Sequence, residues 1–176
     1  VYEMGNRLGI DLLDKYAAQG LISIRFRYFN VAGAWPDGSL GEAHDPETHL
    51  IPNIINALST PDRAVHIFGH EYPTKDGTCV RDYIHVCDLA RAHIAGIEAL
   101  GHGEQGGAYN LGNGQGFSNL EIVHTCATLL GLTSQQERSR VILDANRPGD
   151  PAILVASYQR ALDRFGWKPQ YDNIDE

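Results

Sequence analysis

The hydrophobic and polar positions of the chain change period several times along its length. A first helix is predicted by four apolar residues at helical spacing: Leu8, Leu12, Leu13 and Tyr16. Gly20 marks its end. Residues 21–29, LISIRFRYF, alternate and are rich in strand-forming residues, so they predict a β-strand. Residues 30–48 have turn chemistry throughout, and a connection of this length within a domain is usually functional.

Short apolar strands and amphipathic helices follow one another after this loop. Helices are predicted at residues 49–58, after Asp88, at residues 118–131 and at residues 157–167. Strands are predicted at residues 64–69, 80–86, 108–112 and 140–145. Thr48 and Asp88 are predicted helix caps, and Ser118 with Glu121 forms a capping box. This alternation predicts an α/β fold.

Charge and composition exclude several classes of partner. The 176 residues suit about one domain by the usual length prior. The formal net charge is -8, and the 14 Lys and Arg residues are scattered, which argues against nucleic acid and anionic membranes. No signal peptide and no apolar run long enough to span a membrane is present. Three irregularly spaced cysteines indicate reduced thiols, so we expect a cytoplasmic protein.

Neither a metal motif nor a dinucleotide fingerprint is predicted. His66 and His70 are four residues apart, but His66 lies in a predicted strand, so no metal site is expected. The segment LGNGQGF resembles G-x-G-x-x-G, but Phe117 stands where the third glycine should be. We interpret this segment as an ordinary strand-to-helix turn.

Two arginines stand where apolar strands meet loops. Arg81 lies inside the apolar run CVRDYIHV, where an unpaired charge is costly to bury. Arg147 follows the predicted strand RVILDA. Strand ends are the usual ligand positions in α/β folds, and two guanidinium groups suit a diphosphate. The alternative, left open by the sequence, is that both arginines form structural ion pairs with nearby aspartates.

Several segments together carry a resemblance to a known family. RYFNVAGA, HDPETHLIPNII, PTKDGTCVRDYIHV, YNLGNGQGFS and NRPGDPAILVAS resemble, in order, segments of the UDP-glucose 4-epimerases, which are extended short-chain dehydrogenases/reductases. The resemblance runs over residues 21–167 and implies the C-terminal half of such an enzyme. The implied fold is the end of a Rossmann-type parallel sheet plus a smaller mixed α/β substrate domain, with both in residues 1–176 and the N-terminal Rossmann part absent. The chain opens without Met, and we interpret it as part of a longer protein.

The resemblance also implies an activity, a cofactor and site residues. It implies C4 epimerisation of UDP-glucose and UDP-galactose through a 4-keto sugar, with NAD as cofactor and a possible homodimer. Tyr28 matches the aromatic beside the nicotinamide, and Tyr2 the catalytic tyrosine. The implied UDP-sugar residues are Asn30, His49, Leu50, His66, Ile67, Phe68, Arg81, Arg147, Asp150 and Leu154.

The catalytic end departs from the family pattern. The family uses Tyr-x-x-x-Lys, in which a lysine lowers the tyrosine pKa. One placement pairs Tyr2 with Asn6, and the other puts Glu3 and Arg7 in the two positions. Leu154 stands where family members limit the bulk of the sugar, which leaves the preference for N-acetylated sugars open. The alternatives are a non-catalytic UDP-sugar binding module and a related dehydratase or decarboxylase.

Overall fold

The computed structural model describes the backbone of residues 2–175 and the side chains of residues 8–175. The helices are α1 (Tyr2–Ala17), α2 (Leu50–Ser59), α3 (Val86–Gly101), α4 (Asn119–Leu129), α5 (Ser134–Ser139) and α6 (Gln159–Phe165). The strands are β1 (Ile24–Tyr28), β2 (Asn30–Ala32), β3 (Val65–Phe68), β4 (Val80–Arg81), β5 (Tyr83–His85), β6 (Gly107–Leu111), β7 (Phe117–Ser118), β8 (Val141–Asp144) and β9 (Ile153–Leu154). The predicted alternation of strands and helices is confirmed, and the short helix α5 was not predicted.

Most strand pairs are parallel, as in an α/β fold. β1 pairs with β6, β2 with β5, and β3 with β8, each in parallel. β4 lies between β7, which is antiparallel to it, and β9, which is parallel. Parallel neighbours bring the carboxyl ends of their strands to one edge, where α/β proteins bind ligands.

Two apolar cores hold these layers together. One is built around Ile54 of α2, Ile67 of β3 and Val123 of α4. The other packs α3 and α6 against the β1–β6 pair, with Tyr109 and Trp167 at its centre. All three cysteines are free and buried, and burial raises the pKa of the Cys126 thiol. Among the residues described, no helix is long and apolar enough to cross a membrane.

Two predicted helix caps are wrong. His49, not Thr48, is the N-cap of α2, and its side chain makes no capping hydrogen bond. The N-cap of α3 is His85, whose ring accepts from the Cys87 amide. Asp88 instead lies in the first turn of α3, where its carboxylate accepts from the backbone amides of residues 170 and 171. Bonding to the far end of the chain therefore takes the place of the local capping bond.

The predicted strand over residues 80–86 is divided. β4 and β5 belong to different sheets. Asp82 lies between them and makes one backbone hydrogen bond to a strand of each sheet. Its amide donates to the Leu154 carbonyl, and its carbonyl accepts from the Asn30 amide. Val86 begins α3 instead of ending the strand. The chain thus passes from one sheet to the next at the residue after Arg81.

Part of the apolar surface of the helices is exposed. On α3, Ile94 and Ile97 are 58% and 70% exposed. The buried side of α3 packs closely on β1. A Cβ added at Gly96 would lie 2.8 Å from the Phe26 ring, so this position requires glycine. Leu8 and Leu12 of α1 are exposed as well.

Candidate active site

A cleft of about 920 Å³ runs along β3. Its other walls come from β2, most of α2, the ends of β4 and β5, and the loop after β8. Nine of the predicted substrate residues line it: Asn30, His49, Leu50, His66, Ile67, Phe68, Arg81, Arg147 and Asp150. Arg81, Arg147, Phe68 and Asn30 therefore line one and the same cleft.

Arg81 is fixed by three acceptors at the side of the cleft. Its guanidinium donates to the carbonyls of Val80 at 2.9 Å and Pro151 at 2.8 Å. A third bond, of 3.3 Å, goes to the Asp150 carboxylate. The side chain is only 14% exposed, so its position is well defined. Arg81 therefore forms an ion pair, but its partner is Asp150 and not the neighbouring Asp82 or Asp88 that the sequence suggested.

Arg147 is held differently, by an aromatic ring. Its guanidinium carbon lies 3.9 Å from the centroid of the Phe68 ring, a cation–π contact. Phe68 ends β3, and the parallel register places it beside Asp144, three residues before Arg147. No ion pair involves Arg147 among residues 8–175, so its N–H groups remain available for an anionic ligand.

A tight turn joins Arg147 to Asp150. The Asp150 amide donates to the Arg147 carbonyl at 3.3 Å, and Gly149 has φ of 85°, which favours glycine. This turn places Arg147, which stacks on Phe68, and Asp150, which pairs with Arg81, on the same wall of the cleft. The loop after β8 therefore carries Arg147 and Asp150, and through Asp150 it also helps to position the Arg81 guanidinium.

The His66 side chain lies at the rim, next to an acid. Its Nδ1 is 2.8 Å from the Asp144 carboxylate on the paired strand β8. His70 follows, with Nδ1 3.1 Å from the Asp144 carbonyl. These contacts give both histidines protein partners, and His66 lies in strand β3 and not in a helix.

Two predicted site residues, Leu154 and Tyr28, are not brought to this cleft. Leu154 lies on β9, in register with Arg81, and is 46% exposed. Tyr28 ends β1 and is 54% exposed. The side chain of Tyr2 lies outside the described residues, as do those of Asn6 and Arg7, so the two placements of the catalytic motif stay predictions.

The cleft residues that the sequence reasoning did not assign include Tyr83 and Arg63. Tyr83 of β5 lines the cleft, and burial raises its pKa to about 12. Arg63 adds a third cation to the lining, exposed and two residues before β3. Arg63 precedes its strand, whereas ligand residues are expected at the carboxyl ends of strands, so no sequence signal pointed to it.

The glycine-rich segment after β6 binds a carboxylate of the protein itself. The buried Asp82 accepts from the amides of Asn113 at 2.6 Å and Gly114 at 3.0 Å, and from Ala156 at 3.0 Å. A Cβ at Gly112 would lie 2.6 Å from this carboxylate. The interpretation as a structural turn is therefore confirmed.

A G-x-G-x-x-G spacing does occur elsewhere, at Gly101, Gly103 and Gly106. It follows α3 and leads into β6, which is the reverse of the strand-to-helix order that a phosphate-binding loop needs. No helix N-terminus follows it, so it provides no phosphate site.

Comparison with known proteins identifies the family of this chain. The sequence model of the NAD dependent epimerase/dehydratase family matches residues 1–112. The chain therefore belongs to the NAD dependent epimerase/dehydratase family. Its Rossmann-type α/β fold agrees with the solved structures described below.

The similar proteins include several UDP-glucose 4-epimerases. A UDP-glucose 4-epimerase from Lacticaseibacillus casei is 47% identical over 159 residues, 90% of this chain and 46% of that protein. The structure of the Brucella ovis UDP-glucose 4-epimerase in complex with NAD has a TM-score of 0.85 and 42% identity, over 96% of this chain and 50% of that one. The Stenotrophomonas maltophila UDP-glucose 4-epimerase, with bound NAD and formylated UDP-arabinopyranose, has a TM-score of 0.84 and 36% identity, over 96% and 49%. The resemblance stated from the sequence is confirmed, and the chain spans about half the length of these relatives.

Proposed function

We propose that the protein to which this chain belongs interconverts UDP-glucose and UDP-galactose by C4 epimerisation, through a 4-keto sugar, with tightly bound NAD. The observation that carries the proposal is the cleft in which Arg81, Arg147 and Phe68 converge. The similarity to UDP-glucose 4-epimerases supports it over a dehydratase or a non-catalytic binding module.

The cleft suits the nucleotide diphosphate of the substrate. Arg147 offers N–H groups that pair with no carboxylate of residues 8–175, and Arg81 offers a second, partly satisfied guanidinium. Arginine forks match phosphate oxygens, and charge-assisted hydrogen bonds of this kind are the strong ones. Arg147 is the main diphosphate ligand in this proposal, because Arg81 must share its charge with Asp150.

The other predicted residues complete a nucleotide-sugar site. Phe68 and Ile67 supply the apolar wall that a uracil ring needs, with His66 at the rim and Asp150 for the ribose. The remaining predicted ligands lie across the cleft: Asn30 on β2 and His49 and Leu50 at the start of α2. Leu154, on β9 beside Arg81, is assigned to the sugar end.

NAD would supply the acceptor that takes a hydride from the sugar and returns it to the opposite face. In this chain Tyr28 is assigned to the nicotinamide side, since an exposed aromatic at the carboxyl end of a parallel strand suits a planar ring. Tyr2 is assigned as the base that takes the sugar 4-hydroxyl proton. We assign residues 1–176 to the end of the dinucleotide-binding domain interleaved with the UDP-sugar domain.

Further assignments rest on the similarity to the same enzymes. The rest of the Rossmann domain is assigned to sequence outside this chain, because relatives are about twice as long. The protein is proposed to be a cytoplasmic homodimer. Gel filtration coupled to light scattering tests the dimer, and a mass of one protomer contradicts it.

The direct experiment measures the reaction. The longest natural form of the protein is given NAD⁺ and UDP-galactose, and UDP-glucose is quantified. We expect conversion, loss of most of it in Tyr2→Phe, and none for the 176-residue chain alone. If the longest form binds UDP but gives no UDP-glucose, the binding-module alternative is favoured instead.

A parallel pair of variants tests the base. Asn6→Lys and Arg7→Ala separate the two placements of the tyrosine's cationic partner, because a free tyrosine has a pKa of about 10 and needs a nearby positive charge. A large fall in kcat for Arg7→Ala supports Arg7 as that charge. A rise in kcat for Asn6→Lys with no effect of Arg7→Ala contradicts it.

A further inference from the structure

Four metal-ligating side chains converge on the loop that leads into α2. They are Glu42, His44, Glu47 and His49. One oxygen of Glu47, Oε1, is 3.9 Å from the Nδ1 of His44 and 3.0 Å from the Nδ1 of His49. Ligand atoms of His44, Glu47 and His49 all lie within 4.8 Å of one another, the one such three-residue group among the side chains described.

These separations match those of a small coordination sphere. Zinc bonds of about 2.0–2.1 Å in a tetrahedron place neighbouring ligand atoms about 3.3 Å apart. The Glu47 oxygen stands at 3.0 and 3.9 Å from the two ring nitrogens, on either side of that value. A Glu42 oxygen lies 2.5 Å from the His49 Nδ1, which makes it the fourth candidate ligand.

A single N–H group of His49 cannot donate to both of the carboxylates that face it. His49 Nδ1 faces carboxylate oxygens of both Glu42 and Glu47, and one N–H can point at only one acceptor. The two carboxylates carry a charge of about -2, which a divalent cation neutralises. This charge exceeds the partial charge of about +0.5 at the N-terminus of α2, so a cation is favoured there.

The cluster is also held in place before any ion binds. Glu47 Oε1 accepts from the backbone amides of Thr48 and His49, at 2.7 Å each, which fixes the position of this oxygen just before α2. The rings of His44 and His49 pack with their centroids 4.9 Å apart. The His124–Glu137 pair, also 3.0 Å apart, has no such third ligand among the side chains described and serves as a matched comparison.

We propose that His44, Glu47 and His49, with Glu42, form a binding site for a zinc-class divalent cation at the rim of the cleft. Two imidazoles with carboxylates suit zinc, whereas Mg²⁺ and Ca²⁺ prefer oxygen alone. Glu42 and His49 also line the cleft, so the ion fixes the loop 42–49 against α2. The site does not depend on the epimerase proposal, since its test measures metal binding alone.

The test is calorimetric titration of the metal-free, untagged protein with Zn²⁺. We expect one ion per chain, and at least about 10-fold weaker binding for His44→Asn, since even an outer-shell change costs zinc sites about 10–100-fold. His44 does not line the cleft, which keeps substrate binding out of the comparison. Co²⁺ in place of Zn²⁺ should give the strong visible absorption of a four-coordinate ion, and His44→Asn should lose it.

The control variant is His124→Asn, which should leave both stoichiometry and affinity unchanged. Circular dichroism of each variant verifies that the fold is intact. Zn²⁺ binding by His44→Asn equal to that of the unaltered protein overturns the proposal, as does the absence of stoichiometric binding. Mg²⁺ binding at equal strength also overturns it, because this donor set discriminates against that ion.

Discussion

The substitution Asp82→Asn tests the account of the glycine-rich segment. The buried Asp82 carboxylate accepts from three backbone amides: Asn113 to Oδ1, and Gly114 and Ala156 to Oδ2. Asparagine has the same shape but only one acceptor oxygen. If that oxygen takes the Oδ2 position, the Asn113 amide faces an NH₂ group and loses its acceptor.

The cost follows from these three bonds. One orphaned buried donor costs about 1–3 kcal/mol, and each of the two remaining bonds loses about 1 kcal/mol of charge assistance. Removing a buried charge returns part of this through its desolvation. We therefore expect Asp82→Asn to lower the free energy of unfolding by about 3 kcal/mol. For a chain of this size that lowers the melting temperature by about 6–12 °C.

The assay is urea denaturation followed by fluorescence, with Asp37→Asn as the matched control. Asp37 also accepts a backbone amide, from Ser39 at 2.8 Å, but it is exposed, so we expect a change within about 0.5 kcal/mol. Unfolding free energies of the two variants within about 1 kcal/mol of each other would refute the reasoning. The Asp82 carboxylate would then not organise the loop as described.

Two further predictions concern stability. Burial raises the pKa of Tyr83 to about 12, so the folded state resists ionisation that the unfolded chain undergoes above a pKa of about 10. The stability that Tyr83 contributes is fully present below the unfolded pKa of about 10 and falls as the pH rises toward the folded pKa, by about 1.4 kcal/mol at about pH 11. Denaturation of Tyr83→Phe should lack this alkaline loss. An identical loss in both proteins contradicts the assignment. Gly112→Ala should cost about 1–3 kcal/mol in thermal unfolding, because the new Cβ would lie 2.5 Å from the Ala156 Cβ, whereas Gly101→Ala meets nothing within 4 Å and should be neutral. Equal melting temperatures of the two alanine variants would argue against the close packing.

Local patterns predicted those features that depend on neighbouring residues. The capping box at Ser118 and Glu121 forms as predicted, because both partners lie three residues apart. Arg81 and Arg147 line the same cleft, and each lies at or just after the end of a strand formed by its own apolar run. The sequence therefore indicated the cleft without knowledge of the pairing order.

Features that depend on distant contacts could not be predicted in this way. Asp88 has the composition and position of a cap, but two amides about 80 residues away occupy its carboxylate. The strand after Cys79 divides at Asp82 because three distant amides and the Leu154 carbonyl hold that residue. The His44–His49 cluster was missed because its ligands are brought together by a loop with no periodic pattern.

The central claim is that the cleft binds the diphosphate of a UDP-sugar through its arginines. The most direct measurement is calorimetric titration of the protein with UDP, comparing Arg147→Ala with Arg138→Ala, an exposed arginine outside the cleft. A charge-assisted hydrogen bond contributes about 1.5–3 kcal/mol, so UDP should bind about 10- to 150-fold more weakly to Arg147→Ala. Arg138→Ala should bind UDP as the unaltered protein does. Equal affinity of Arg147→Ala and the unaltered protein for UDP would contradict the account.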